Sequence, residues 1–466
     1  MIRKRYIVLM ASLLVIIMAL LSACNSNQPA GTNEDGENSS STNKNDNSSS
    51  GNPEPVEVTY WHMWTSDWGK LIDEIVAEFN KTHPNIKVKA LSLPTDAETK
   101  FLAATTGGDA PDVFTEWNMI IGSWAESGAI QPLDQFIDAD APDMREWMYP
   151  ICKEIGTYQG KTYAIPMSMN VFMLWWNKDI FKEAGLDPDK PPETIEELDA
   201  IQSKLWKIND RGIVERVGFF PGGWNFWMPP FGGDIYDEQN DKVTPTNQNI
   251  VKMFEWFQSY VKPKEQGGKG YDIQKVDAFN KSSASRENAM QPWLIGKQAI
   301  WTNGMWILED IKNYNPDLNY GVASYPYPKD GGKPNSSWIN GNFNVIPANA
   351  KHPKEAWEFI KWLAGYGAEA DAAKILPKGG WIPVSPKVTE QPEYQKFLDE
   401  VPVRRQFVDL MSSENVQITP VLPYQQYLSD RMAQAETRVL HNEQTPLEAL
   451  QQVEQEVTKE AAKYKK

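Results

Sequence analysis

The chain has 466 residues, with 62 Asp and Glu against 46 Lys and Arg, a formal net charge of -16 and only two cysteines, Cys24 and Cys152. An acidic surface of this kind argues against nucleic acid and anionic lipid as partners, and a strongly anionic ligand would need a local basic pocket to overcome it. Two cysteines give no disulfide framework, so the fold must rest on its apolar core.

Arg3, Lys4 and Arg5 precede an apolar run from Ile7 to Leu21, the charged-then-hydrophobic order of a secretory signal, and the run is too short to span a bilayer. It closes on Leu21-Ser22-Ala23-Cys24, which resembles the lipobox of bacterial lipoproteins; that resemblance implies cleavage after residue 23 and a lipidated Cys24. The alternative is an uncleaved anchor, and either way the body lies outside the cytoplasm. Without residues 1–23, 43 basic residues face 62 acidic ones, a formal charge of about -19. Residues 24–55 hold Ser, Asn, Gly, Asp and Glu with no aromatic side chain and so read as a disordered tether. As a coil of roughly 30 residues it reaches about 30 Å on average. The remaining stretch of about 410 residues is large for one core and suggests two domains.

Val56, Val58 and Tyr60 alternate with polar residues, Ile72, Ile75, Val76 and Phe79 follow at helical spacing, and Ile86 and Val88 alternate again. This strand, helix, strand order predicts a parallel α/β sheet. Thr194-Ile195-Glu196-Glu197 reads as a capping box for a helix burying Leu198, Ile201, Leu205 and Ile208. Thr445-Pro446-Leu447-Glu448 reads as a second, with Leu447, Leu450, Val453 and Val457 as its stripe.

Gly160-Lys161-Thr162 lacks the glycine a phosphate loop needs upstream, since Ile155 stands there, and His62, His83, His352 and His441 are too scattered for a metal site. Neither a cofactor nor a metal is expected. The informative signal is 19 tryptophans, many beside polar or glycine residues, as in Trp61-His62-Met63-Trp64 and Gly222-Gly223-Trp224-Asn225-Phe226-Trp227. An indole face covers the C–H surface of a pyranose while neighbouring amides and carboxylates bond its hydroxyls. For any single tryptophan, ordinary core packing is the competing account.

Residues 79–88, the segment Gly107-Gly108-Asp109-Ala110-Pro111-Asp112-Val113, the segment Trp176-Asn177-Lys178-Asp179-Ile180-Phe181, Asn303-Gly304-Met305-Trp306 and Ala356-Trp357-Glu358-Phe359-Ile360 follow one another in order. Together they resemble the extracellular solute-binding proteins of carbohydrate ABC importers, the family typified by maltose-binding protein, over nearly all of 56–466. The resemblance implies a two-lobed α/β periplasmic-binding-protein fold (type II) with discontinuous lobes joined by a hinge: 56–166 plus 324–368, and 167–323 plus 369–466. It implies ligand contacts from Trp64, Asp67, Glu116, Trp117 and Asn118 on the first lobe, and from Asn170, Trp224, Trp227 and Trp306 on the second. Asn340, Asn342 and Trp381 are expected at the cleft mouth. Asn170 stands where maltose-binding protein has an acidic contact, which implies a different sugar. The function implied is capture of an oligosaccharide by hinge closure and delivery to ABC permease subunits by a monomeric, lipid-anchored protein that is not an enzyme. The alternatives are a surface glycoside hydrolase or polysaccharide lyase, which would need two carboxylates across a cleft, and a sugar sensor for a membrane signalling partner.

Overall fold

In the computed structural model, residues 54–117, 120–284 and 288–465 are described. The signal peptide, Cys24, nearly all of the tether, and Asn118 lie outside them.

The chain begins as the sequence pattern predicts. Strand β1 (Val56–His62), helix α1 (Ser66–Thr82) and strand β2 (Ile86–Ser92) form a parallel unit in which Val58 pairs with Val88. Helix α1 buries Ile72, Ile75, Val76 and Phe79. Asn80 finishes the unit: its side chain donates to the Val88 carbonyl at 2.9 Å and accepts from the Val88 amide at 2.7 Å, imitating a neighbouring strand. Strand β3 (Val113–Glu116) lies parallel to β1 on its other side.

Strand β4 (Ala164–Asn177) is the longest, and all its residues except Asn170 are buried. It pairs antiparallel with β5 (Ile300–Gly304) and β6 (Tyr320–Ala323) through residues 172–177, and with β7 (Ser337–Val345) through residues 164–171. The sheet runs β5-β4-β7-β3-β1-β2, with β6 on β4 and the short β8 (Val416–Gln417) on β7. Helix-separated parallel strands thus join an antiparallel portion through one continuous strand.

Alternation along β4 sends its side chains to two cores. Val171, Met173 and Trp175 join one apolar cluster, which runs from Val58 through Phe359 to Ile418; Phe172, Leu174 and Trp176 join the other. The second is built on the helices Trp224–Phe231, Gln248–Val261, Gln425–Leu440 and Pro446–Ala461. Trp293, Leu294, Met305, Ile307, Leu308, Ile311 and Val322, and buried residues from Ala372 to Ile418, also belong to the first cluster.

The capping box predicted at Thr445 forms, whereas at Thr194 only half of it does, because the Glu197 carboxylate accepts from the Glu193 amide instead of the Thr194 amide. Thr445 and Glu448 form a reciprocal box on the helix Pro446–Ala461, which buries Leu450, Val453 and Val457 but leaves Leu447 exposed. The Thr194 hydroxyl caps a helix that ends at Ile201, and Ile208 is exposed on a hairpin of residues 207–216 instead of continuing the stripe. The cause is local turn chemistry: the Asn209 carboxamide accepts from the amides of Arg211 and Ile213, closing a turn that the helix would forbid. Cys152 is free and buried, and burial pushes its thiol pKa up.

Asp112, within the Gly-Gly-Asp-Ala-Pro-Asp-Val segment, is buried and ties three elements. One oxygen accepts from the Thr59 amide at 2.8 Å and hydroxyl at 2.9 Å, and the other accepts from the His352 amide at 2.8 Å. Asp112→Ala leaves those donors without partners, and the expected outcome is a loss of about 2–4 kcal/mol in urea unfolding with an unchanged denaturant slope.

Candidate functional site

A cavity of about 810 Å³ opens along the line where β4, β5 and β7 meet, within the range usual for small-ligand clefts. Strand alternation supplies its floor. Asn170 and Phe172 come from β4, Trp301 and Asn303 from β5, and Trp338, Asn340 and Asn342 from β7. Each pair is two residues apart, so both side chains reach one face. The Asn170 side chain donates to Asn340 across the sheet at 2.9 Å, and Asn342 donates to the Ser168 hydroxyl at 2.7 Å.

Two aromatic walls rise from this floor. Trp64 and Trp68 lie 5.7 Å and 5.9 Å from Trp381, ring centre to ring centre. In a second aromatic group, Trp306 packs edge-on against Phe172 of the floor at 5.5 Å, and Phe172 stacks on Trp338 at 5.4 Å. Gly304 makes the Trp306 placement possible, because a Cβ there would sit 1.8 Å from the indole ring. Trp117 completes the lining and is 44% exposed, an indole face offered to solvent. Beneath Trp64 lies His62, whose ring pKa is pushed down to about 4 by burial, against the pull of Asp73, so it is neutral at pH 7.

The lining holds eight tryptophans, two phenylalanines and eight amide side chains. None of the described lining residues is Lys, Arg or His, and Asp310 is the single carboxylate among them. Amides both donate and accept, as sugar hydroxyls do, and indole faces supply flat apolar area. No group of His, Cys, Asp and Glu among the described residues could hold a metal ion.

Of the residues the sequence singled out, Trp64, Trp117, Asn170, Trp306, Asn340, Asn342 and Trp381 come together here. Asp67 does not: it is exposed, pairs with Lys70 at 2.9 Å and accepts from the Tyr314 hydroxyl at 3.2 Å. Glu116 is fully buried in β3 and accepts from the Trp117 amide at 2.8 Å, so it sits behind the indole rather than on the wall. Trp224 and Trp227 are in the core. The sequence reads their segment as an aromatic loop, but it is a helix, and Trp224, Trp227, Met228 and Phe231 fall on its inward face at intervals of three and four. Trp227 accordingly packs against Trp256 and Tyr325 at 4.7 Å and 5.2 Å. The same turn gives the cleft Asn225 and Phe226 instead. Its start is pinned by Glu436, which accepts from the Gly223 and Trp224 amides at 2.9 Å and 2.7 Å. Sequence reasoning missed Trp68, Trp293 and Trp301, while Trp338 lies in the segment expected at the cleft mouth; the period-two spacing of Trp301 to Asn303 carried a usable signal.

The profile of the family described as bacterial extracellular solute-binding protein matches residues 74–397. The chain belongs to that family. This solute-binding protein is 24% identical to the maltotriose-binding protein of Pyrococcus abyssi over 342 residues, 72% of this chain and 68% of that one. It is 24% identical to the sn-glycerol-3-phosphate-binding periplasmic protein of Yersinia pestis over 360 residues, 74% and 78% of the two chains. Among solved structures, CpMnBP1 with mannotriose bound is 30% identical, with a TM-score of 0.74 over 86% of this chain and 99% of that one. The GacH receptor of Streptomyces glaucescens, at 22% identity, superimposes with a TM-score of 0.71 over 88% and 100%. The fold is the two-lobed periplasmic-binding-protein fold. Among the described residues no helix is long and apolar enough to cross a membrane.

Two substitutions separate wall from core in this solute-binding protein. Gly304→Ala drives a methyl into the Trp306 ring, and affinity for its oligosaccharide, measured by calorimetry, is expected to fall at least about tenfold while the fold persists. Trp227→Ala is expected to cost about 3–5 kcal/mol of stability in denaturant unfolding.

Proposed function

We propose that this protein captures a neutral oligosaccharide between its lobes and delivers it to the permease of an ABC importer. The observation that carries the reading is the lining of the cleft, eight tryptophans and eight amides with no cation among the described residues. Flat apolar faces on two walls suit a chain of pyranose rings, and they are more numerous than one monosaccharide can cover. The 30% identical structure that holds mannotriose and the relative named for maltotriose support a short neutral oligosaccharide of that class. The glycerol-phosphate relative points elsewhere, but a phosphate needs Arg, Lys or a nest of amides, and the described lining offers no such charge.

Capture proceeds by closure. A sugar that touches both aromatic walls gains contacts that neither wall provides alone, so the closed form is favoured by the difference in affinity. The lipobox-like Leu21-Ser22-Ala23-Cys24 supports cleavage before Cys24, diacylation of that residue and attachment at the extracytoplasmic face of the cell membrane. A glycosidase would need a second carboxyl across the bound sugar, and Asp310 is the only one among the described lining residues, which favours binding without turnover.

Thermal unfolding tests the reading, because a ligand bound only by the folded state raises the midpoint. At a hundred times its dissociation constant, mannotriose or maltotriose is expected to add about 2.7 kcal/mol. Mannose and sn-glycerol 3-phosphate are expected to add far less. A shift with the phosphate and none with either trisaccharide would sink the proposal.

A further inference from the structure

The cleft has one feature that neither stacking nor amide pairing explains. Asp310 lies on the helix α2 (Ile307–Tyr314), four residues after Trp306, and lines the cavity while being only 6% exposed. Its carboxylate has no hydrogen-bond or ion-pair partner among the described residues. The segment 288–294 lies against this helix: Asn315 donates to the Leu294 carbonyl at 2.7 Å, and Trp293 lines the same cavity. The Trp293 indole N–H is likewise buried without a partner. A carboxylate that lines the cavity without a protein partner, beside a tryptophan whose buried N–H also lacks one, marks a place where the hydroxyls of a polar ligand complete the bonding.

We infer that Asp310 is a ligand-contacting, specificity-determining carboxylate, which accepts two hydroxyls of one sugar ring at the Trp293 and Trp306 end of the cleft and rejects anionic sugars there. The inference rests on the oligosaccharide reading given above and narrows it to uncharged rings presenting adjacent hydroxyls. A carboxylate held without a cation repels a uronate or a sugar phosphate, and its two oxygens span a vicinal diol.

The surroundings also set a pH dependence. Burial, with a smaller contribution from Glu309, pushes the Asp310 pKa up to about 6. Glu309, on the same helix, is itself held by Arg404 at 2.8 Å and faces Lys312 at 3.8 Å. Tyr314 at the helix end bonds Asp67, which pairs with Lys70, and Lys378, ahead of Trp381, pairs with Glu74 at 3.1 Å. Residues 288–294 and β5 bring no titratable side chain. His62, pushed down to about 4, does not titrate in the same window. Sugar hydroxyls donate to the ionised carboxylate, so binding lowers its pKa; affinity is therefore greatest above pH 6 and falls as pH drops through that value.

Calorimetric titration of mannotriose into the purified protein and into Asp310→Asn tests this. The wild type is expected to bind roughly tenfold more weakly at about pH 5 than at about pH 7, and the variant to bind more weakly at pH 7 with that slope abolished. Asp310→Glu, which keeps an ionisable group, is expected to keep a slope. An unchanged slope in Asp310→Asn, a flat profile in the wild type, or binding of a trigalacturonate by the wild type overturns the role of Asp310 while leaving the oligosaccharide reading intact. No binding of mannotriose or maltotriose at either pH overturns both.

Discussion

A single strand carries the molecule. Ala164–Asn177 lends its first half to β7 and its second to β5 and β6, and nearly every residue on it is buried. Because successive side chains point to opposite faces, each core takes alternate residues of the same segment, and a shift of one position would exchange the two sets. Register is fixed where it matters for the cleft: Asn170 stands opposite Asn340 and Ser168 opposite Asn342, then the pairing slips at Phe343, which faces Pro166. Proline has no amide to give the ladder, so an irregularity at that point costs little. The floor of the cleft is thus as ordered as the core beneath it.

That order ties polar groups of the cleft floor to one another. The Asn170 amide donates to the Asn340 carbonyl oxygen and the Asn342 amide to the Ser168 hydroxyl, so part of the floor's bonding capacity is already taken within the sheet. A sugar hydroxyl must exchange these bonds rather than add to them, and exchange yields little net free energy. Affinity must then come largely from the indole faces, and Asp310 gains importance because it has nothing to give up. The amides fix orientation, the aromatics hold, and the unpaired carboxylate discriminates.

How far the sequence reveals this differs from element to element, for physical reasons. The β1, α1, β2 unit was legible because its period changes from two to three and a half within thirty residues, and Trp306 was legible through its motif. Trp224 and Trp227 were not, because polar neighbours suggested an exposed loop while the segment is a helix whose glycine start is held by Glu436, more than two hundred residues away. Asp310 was hidden for the converse reason. Between Leu308 and Ile311 it resembles the polar face of an ordinary amphipathic helix, and only the packing of residues 288–294 turns that face inward. Local pattern identifies an element; which face meets a ligand is decided by contacts distant in sequence.

The distribution of charge follows from the same division. The sequence carries a net charge of -16, and exposed ion pairs such as Lys89 with Glu57 and Lys351 with Asp109 lie on the surface of the described body, while the described cleft lining has one titratable group. Surface pairs of this kind contribute little to stability and are screened by salt. A neutral sugar feels almost no force from the outer field, so its encounter rate is not raised by steering as that of a charged ligand would be. Discrimination therefore has to be made after encounter, by the walls and by closure. The acidic exterior repels anions at a distance and Asp310 repels them at contact, so both scales of the electrostatics select for an uncharged ligand.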